Sequence, residues 1–422
     1  MPPFLSIIVR LVLVVVGVLP AVLQAQPSTP NPLETLLTAN AERLGPVLAD
    51  PLTHRVQILY TQIDRDAEGR PHFRSFRHGV APETYFYPAS TVKLPVALLA
   101  LEALHRQGIP GLDRDTVMLT GAAHPSQTAV AADPTAPGGL PSVGHYVRKI
   151  LLVSDNDAYN RLYEFLGQDA INAALRDRGY AGARIVHRLS SPVSTADNRR
   201  VNPVRFIGAH RTLLALGERV AEGAWLGETP IPLGVAEIVS GRRIEGPKDF
   251  SEKNALPLQA LHDLVKAVIF PGAVPSAMRF DLSDEDLAFV RRAMATTPPE
   301  SGIAAYADAE VFPPGYVKFL LFGGDATSIP PSIRIFNKVG DAYGFLTDAA
   351  YVVDVEAGIE YLLAATVYTN ANGTFNDDRY EYAELGFPFL RELGQLIHAH
   401  ELARPRAHRP DLSSLAQLFD AG

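Results

Sequence analysis

The sequence predicts an α+β fold in which one antiparallel sheet is assembled from both ends of the chain. Near the front, residues 56–63 and 72–78 read as strands joined by the turn Asp66-Ala67-Glu68-Gly69. Toward the end, residues 332–338, 349–355 and 360–370 are apolar-rich, with turn signals at Asp341-Ala342-Tyr343-Gly344 and Glu356-Ala357-Gly358, an antiparallel meander. The chain between reads as helical. The expectation is a five-stranded sheet from about 30–89 and 331–403, flanked by helices, with an all-helical lobe over about 90–330.

The elements follow in order. Residues 1–25 look like an export signal: Arg10 precedes the apolar run 11–23, and Ala25 stands at a cleavage position. The run is shorter than the roughly 20 residues a spanning helix needs. Leu23 fits the cleavage rule poorly, so an uncleaved N-terminal anchor is the alternative. After a Pro/Ser/Asn linker, residues 33–48 have helical spacing. The apolar run Val96 to Leu104 reads as a helix buried on all sides, with Pro95 tolerable only in its first turn. Residues 121–141, rich in Ala, Pro, Gly and Thr, form a long loop of the kind that borders active sites. Ser142 caps a helix over 143–153, which ends at Ser154-Asp155-Asn156, and a second helix covers 158–166.

Residues 205–330 read as mostly helical with Pro/Gly breaks. There Ser283 and Asp286 resemble a capping box, so the acids Asp281, Asp284, Glu285 and Asp286 mark a helix start and not a metal site. A C-terminal helix over 380–402 is expected to kink at Pro388, and a tail over 404–410 to be disordered. His398 and His400, two apart, fall on different helix faces and read as surface residues.

Composition narrows the class. A chain of 422 residues, 47% hydrophobic and 20% charged, has ample material for a large core. A net charge of −8 argues against nucleic acid as a partner. With no cysteine, any disulfide, thiolate nucleophile, lipid-modified cysteine or Cys-based metal site is excluded. No cofactor or metal is expected.

Chemistry concentrates at Ser90 and Lys93, three residues apart at the start of the buried helix and therefore on one face. Burial pushes a lysine toward its neutral form, and a neutral lysine beside a serine is a Ser–Lys nucleophile. No other lysine of the chain has a serine three residues before it, and only Lys338 has a glycine two residues after it.

The order Ser90-x-x-Lys93, Ser154-Asp155-Asn156, Lys338-Val339-Gly340 resembles the S-x-x-K, S-D-N, K-T-G signature of class A β-lactamases and penicillin-binding proteins. The resemblance covers most of the chain and implies a β-lactamase/transpeptidase-like fold, a single domain over 26–422 with an insertion within 205–330. It implies a serine hydrolase acylated on Ser90, with Lys93 as base and Ser154 as proton relay. Asn156 and Lys338 would bind substrate, Lys338 through its carboxylate, and Gly340 would let the strand approach the ligand. The oxyanion hole would be the N–H groups of Ser90 and Asp341.

Two departures stand out. Val339 replaces a hydroxyl residue, and the acid Asp341 would repel a carboxylated ligand. The family's deacylating Glu is also missing: there is no Glu between Glu164 and Glu218, and matching the loop through Arg188 puts Leu189-Ser190 where its Trp-Glu would lie. Asp197 is the nearest acid. The expected partner is a β-lactam or peptidoglycan-derived peptide, met in the periplasm or outside the cell. The rival readings are a D-Ala-D-Ala peptidase, a penicillin-binding module without turnover, and a structural wall-associated protein.

Overall fold

The computed structural model describes residues 31–81 and 84–420, so the signal-like segment 1–25 lies outside the described residues. Pro32–Gly422 form one compact unit. In chain order, α1 (Pro32–Ala39) and α2 (Ala41–Ala49) lead into β1 (Gln57–Arg65) and β2 (Pro71–His78). A 3-10 turn, Ala89–Val92, opens α3 (Lys93–His105), and β3 (Val117–Thr120) precedes α4 (Val143–Val153) and α5 (Asn156–Leu166). After α6 (Gln168–Asp177) and the one-turn α7 (Thr195–Asn198) comes a run of short strands. These are β4 (Arg200–Val201), β5 (Val204–Ile207), β6 (Thr212–Leu216), β7 (Arg219–Val220), β8 (Pro232–Leu233), β9 (Ala236–Val239), β10 (Arg242–Glu245) and β11 (Lys248–Asp249). Then come α8 (Leu258–Ile269), α9 (Asp284–Ala295) and the turn α10 (Phe319–Phe322). The chain returns to long strands in β12 (Ile333–Ala342), β13 (Phe345–Asp354) and β14 (Ile359–Tyr368), followed by β15 (Thr374–Phe375) and α11 (Phe387–Ala403).

The main sheet has the order β12-β13-β14-β1-β2, antiparallel throughout. Every residue of β13 is buried, the mark of a strand covered on both faces. Alternation divides the sheet between two apolar clusters. Leu59, Phe336, Ala349 and Tyr351 face the lobe and pack with α3, α4, α5 and α8. Ile58, Tyr60, Ile335 and Val339 face the other way, onto α1, α2 and α11 through Leu33, Leu44, Leu390 and Ile397. Burying each such side chain contributes about 1.5–3 kcal/mol. β12 turns into β13 through Tyr343 and Gly344, both at positive φ (55° and 82°), as a two-residue hairpin turn requires.

Five expectations need correction. The lobe is not all-helical: β3 to β11 lie within 90–330, and 204–249 is a set of short hairpins, so its Pro and Gly residues punctuate strands. The Ser240-Gly241 pair, both at positive φ, is the turn between β9 and β10. The N-terminal helix is two helices, and within α2 Gly45 sits at φ 64°, outside helical geometry, ahead of Pro46. Pro388 does not kink a helix; it stands in the first turn of α11, where its missing N–H costs nothing. The stretch 404–410 is anchored and not disordered: Arg404 ion-pairs with Glu401 and Asp64, and Arg406 with Glu401. His398 is half-buried near Asp354 and so is not a surface residue. The capping box is present, with Asp286 N–H donating to Ser283 Oγ at 3.0 Å.

Candidate active site

The nucleophile turn is shaped by its backbone. Ala89 is buried at φ 46°, in the left-handed region, and turns the chain into the 3-10 segment that carries Ser90. Helix α3 then runs through the apolar centre of the lobe, so Lys93 in its first turn has no exposed surface. Its Nζ lies 2.8 Å from Ser90 Oγ, 2.7 Å from Asn156 Oδ1 and 3.3 Å from Ser154 Oγ, and also meets the Ser154 carbonyl. Burial, aided by the charge of Lys338, holds the Lys93 amine well below the ordinary lysine pKa; Asp155 and Asp341 oppose this.

The Ser154-Asp155-Asn156 connector is fixed from both sides. Ser154 ends α4 in the left-handed conformation (φ 56°), with its N–H returned to Lys149 O. Asp155 caps α5 by accepting from Ala158 N at 2.7 Å. Lys149 reaches Asp133 at 2.8 Å and Asp155 at 3.5 Å, which ties the 121–141 loop to the connector. Ser154 Oγ thus lies between two amines, because Lys338 Nζ also donates to it, at 2.9 Å. Asn156 Nδ2 donates to Ser190 Oγ at 2.9 Å.

Strand β12 supplies the third wall. Lys338 is buried, and burial pushes its amine down to about 7 against the pull of Asp341 and Asp348. It gives a second hydrogen bond to Val339 O, at 2.8 Å. A Cβ on Gly340 would lie 2.6 Å from Pro88 O, 2.8 Å from Ser90 N and 2.9 Å from Thr91 N; only glycine lets the strand approach the nucleophile turn this closely. Val339 is buried in the cluster on the far face of the sheet. Asp341 keeps exposed surface at the end of the strand, yet its surroundings desolvate the carboxyl and push it above the ordinary carboxylate value, against the pull of Lys338 and Lys93.

The structure therefore brings Ser90, Lys93, Ser154, Asn156 and Lys338 into one hydrogen-bonded network, with Gly340 against the Ser90 turn and Asp341 at its edge. Asp197 does not join it; its carboxylate accepts from Ser194 Oγ at 2.7 Å, and Ser194 Oγ in turn caps the helical turn by accepting from the Asp197 N–H at 3.0 Å. Sequence reasoning missed the support beneath β12. Lys318, buried, donates to Ile335 O and to Asn337 Oδ1, and Asn337 donates to Asp348, also buried. The available signal was Asn337 and Asp348, polar residues inside two strands that are otherwise rich in apolar side chains. It also missed His187, stacked on Tyr87 at 6.3 Å and pushed down by burial to about 4. Among the described residues, no group of three or more His, Cys, Asp or Glu is arranged to hold a metal ion. A cavity of about 660 Å³ lined by Gln57, Tyr85, Tyr180 and Arg184 lies elsewhere and includes none of the network residues.

Residues 54–227 match the family model described as the beta-lactamase enzyme family. No curated protein sequence matches the chain. Among solved structures, a beta-lactamase from Sphaerobacter thermophilus DSM 20745 is similar at 16% identity and a TM-score of 0.47, covering 88% of this chain and 99% of its own. A beta-lactamase from Desulfarculus baarsii DSM 2075 is 16% identical with a TM-score of 0.44, covering 85% of this chain and 97% of its own. PBP-A, solved as a variant in an acyl-enzyme complex with penicillin G, is 16% identical with a TM-score of 0.45, covering 87% of this chain and 96% of its own. The matched segment carries Ser90, Lys93, Ser154 and Asn156, so over that part the chain is similar to the beta-lactamase enzyme family.

Proposed function

We propose that the protein is an exported serine hydrolase acylated on Ser90 by an amide such as a β-lactam, and that it releases the acyl group slowly. The carrying observation is Lys93, buried, low in pKa and within 2.8 Å of Ser90 Oγ. As the neutral amine it takes the Ser90 proton while Oγ bonds to the carbonyl carbon. The Ser90 and Asp341 N–H groups receive the oxyanion. As the C–N bond breaks, Ser154 Oγ, held between Lys93 and Lys338, passes a proton to the leaving nitrogen. The product is an ester on Ser90, with the amine released from a linear amide or kept on the opened acyl chain when the amide is a lactam.

Slow release is supported by Ser190. It meets Asn156 Nδ2 where a water-activating carboxylate would be needed, and a hydroxyl is a poor base at neutral pH. The same contact favours a second reading, a penicillin-binding module without turnover. Export is supported by the apolar run behind Arg10. Intact-protein mass spectrometry with a fluorescent penicillin tests acylation: one adduct is expected on the peptide containing Ser90, and none on Ser90→Ala. Labelling of Ser90→Ala at the original rate refutes the assignment. A chromogenic cephalosporin should give a burst near one equivalent and then a slow phase, with no slow phase at all under the second reading. Turnover of a peptide ending in D-Ala-D-Ala, at a rate exceeding that of the cephalosporin, would instead identify a peptidase.

A further inference from the structure

We propose that the cavity beside α8 is a second binding site, for an uncharged apolar molecule with one hydrogen-bond donor that Gln57 receives. At about 660 Å³ the cavity falls in the range of about 300–1,000 Å³ usual for small-molecule sites. Its walls are apolar. Tyr85 and Phe86, on the segment that runs into the nucleophile turn, form one side, and Tyr180, Leu256 and Leu258 form others. Both tyrosine hydroxyls are taken by backbone, Tyr85 by Asn254 O at 2.8 Å and Tyr180 by Met278 O at 3.0 Å. Their rings are left as apolar surface.

The charged groups around the cavity are already engaged. Gln259 bridges Arg77 and Asp263, accepting from the first at 2.8 Å and donating to the second at 3.0 Å. Arg184 donates to Lys253 O at 3.0 Å and to Phe250 O at 3.4 Å, and its Nη1 lies against Gly227, which does not line the cavity. Gln57 is different. Alternation along β1 puts it on the face of Leu59 and Thr61, toward α8, where Thr61 Oγ1 meets His262 Nε2 at 2.9 Å. The side chain is 2% exposed and lines the cavity, with Nε2 donating to Thr84 O at 3.1 Å. Its Oε1 accepts no hydrogen bond from the described residues. A buried acceptor without a donor is costly, and an O–H or N–H on a bound molecule satisfies it. A buried carboxylate on that molecule would find no free cation.

The test is calorimetric titration of the full chain with 1-octanol, octyl methyl ether and octanoate, at two temperatures because apolar burial changes the heat capacity. Octanol should bind at one saturable site, about two- to tenfold tighter than the ether, the worth of one hydrogen bond. Octanoate should bind at least about tenfold more weakly than octanol. From hexanol to octanol, each methylene should tighten binding by up to about fourfold. Gln57→Met should bind octanol and the ether alike, and Ala181→Trp, at an exposed position on the rim, should weaken both. No saturable binding of octanol, tighter binding of octanoate, or equal binding of octanol and ether to wild type overturns the proposal. So does unchanged affinity in Ala181→Trp, which needs no change at Gln57. Ser90→Ala should bind octanol as wild type does; weakened binding there would place the alcohol in the Ser90 cleft and also overturn it. The proposal does not depend on Ser90 being acylated.

Discussion

Gly340→Ala adds one methyl group at the tightest approach in the site. The new Cβ would lie 2.6 Å from Pro88 O, 2.8 Å from Ser90 N and 2.9 Å from Thr91 N, all backbone atoms. That is about 1 Å inside ordinary contact distance. Backbone cannot swing aside as a side chain does, so either β12 or the Ser90 turn must move by several tenths of an ångström. β12 is paired along its whole length to β13, from Ile333↔Asp354 to Ala342↔Phe345, and the turn is locked by buried α3, so neither yields cheaply. Overpacking of this kind costs about 1–3 kcal/mol. Displacing a reactive group by about 1 Å costs up to about 10²-fold in rate. The assay is the second-order rate of Ser90 labelling by a fluorophosphonate, alongside thermal melting. The expected outcome is labelling slowed by about 10²-fold, with the protein destabilised but still folded. Labelling at the wild-type rate with unchanged melting would refute the close approach and the dependence of the nucleophile on it.

Two further predictions concern protons and water. In the proposed mechanism Lys93 acts as a neutral base and Lys338 as a charged anchor, so pH acts on the two in opposite senses. Acylation by an uncharged reagent should rise as pH passes the Lys93 pKa, well below the ordinary lysine value of 10.5, whereas a carboxylated reagent should begin to lose its Lys338 contact above about pH 7. The carboxylated reagent should thus have the lower pH optimum, and identical profiles would contradict the two roles. Ser190→Glu places a carboxylate beside Asn156 and should shorten the acyl-enzyme lifetime by about 10²–10⁴-fold, the usual worth of a general base. An adduct as long-lived as that of wild type in a mass time course would show that Ser190 is not where water is activated.

The long strands were legible because each carries an apolar run with its turn, and the buried helix because it is apolar all round. The four pairings join 57–65 and 71–78 to 333–368 as the sequence implied. The Ser90–Lys93 pair was legible because it is local, three residues on one helical turn. The strands between 200 and 249 were not. They are two to five residues long and many are largely exposed, as in β10, where every residue is, so the brief alternation of a strand such as β5 is too short to mark it. Nor was the Lys318–Asn337–Asp348 network legible, since its members meet only through tertiary folding. Asp197 was a candidate base by nearness in sequence, but its turn directs the carboxylate to Ser194.

Three residues that meet at the site hold backbones that L-amino acids avoid: Ala89 at φ 46°, Ser154 at φ 56° and Ser190 at φ 47°. Each left-handed residue costs about 1–2 kcal/mol relative to a relaxed backbone. The turn before Ser90, the connector at Ser154 and the loop facing Asn156 are thus three loaded springs pressing on one point, held shut by the doubly covered sheet and the capped helices α4 and α5. Heat resistance and reactivity then pull on the same residues. Slackening any one of them would add stability, as glycine does wherever a chain must turn left, and would let the atoms around Ser90 drift apart. A homologue selected for endurance would be expected to relax these turns first, and to pay in speed.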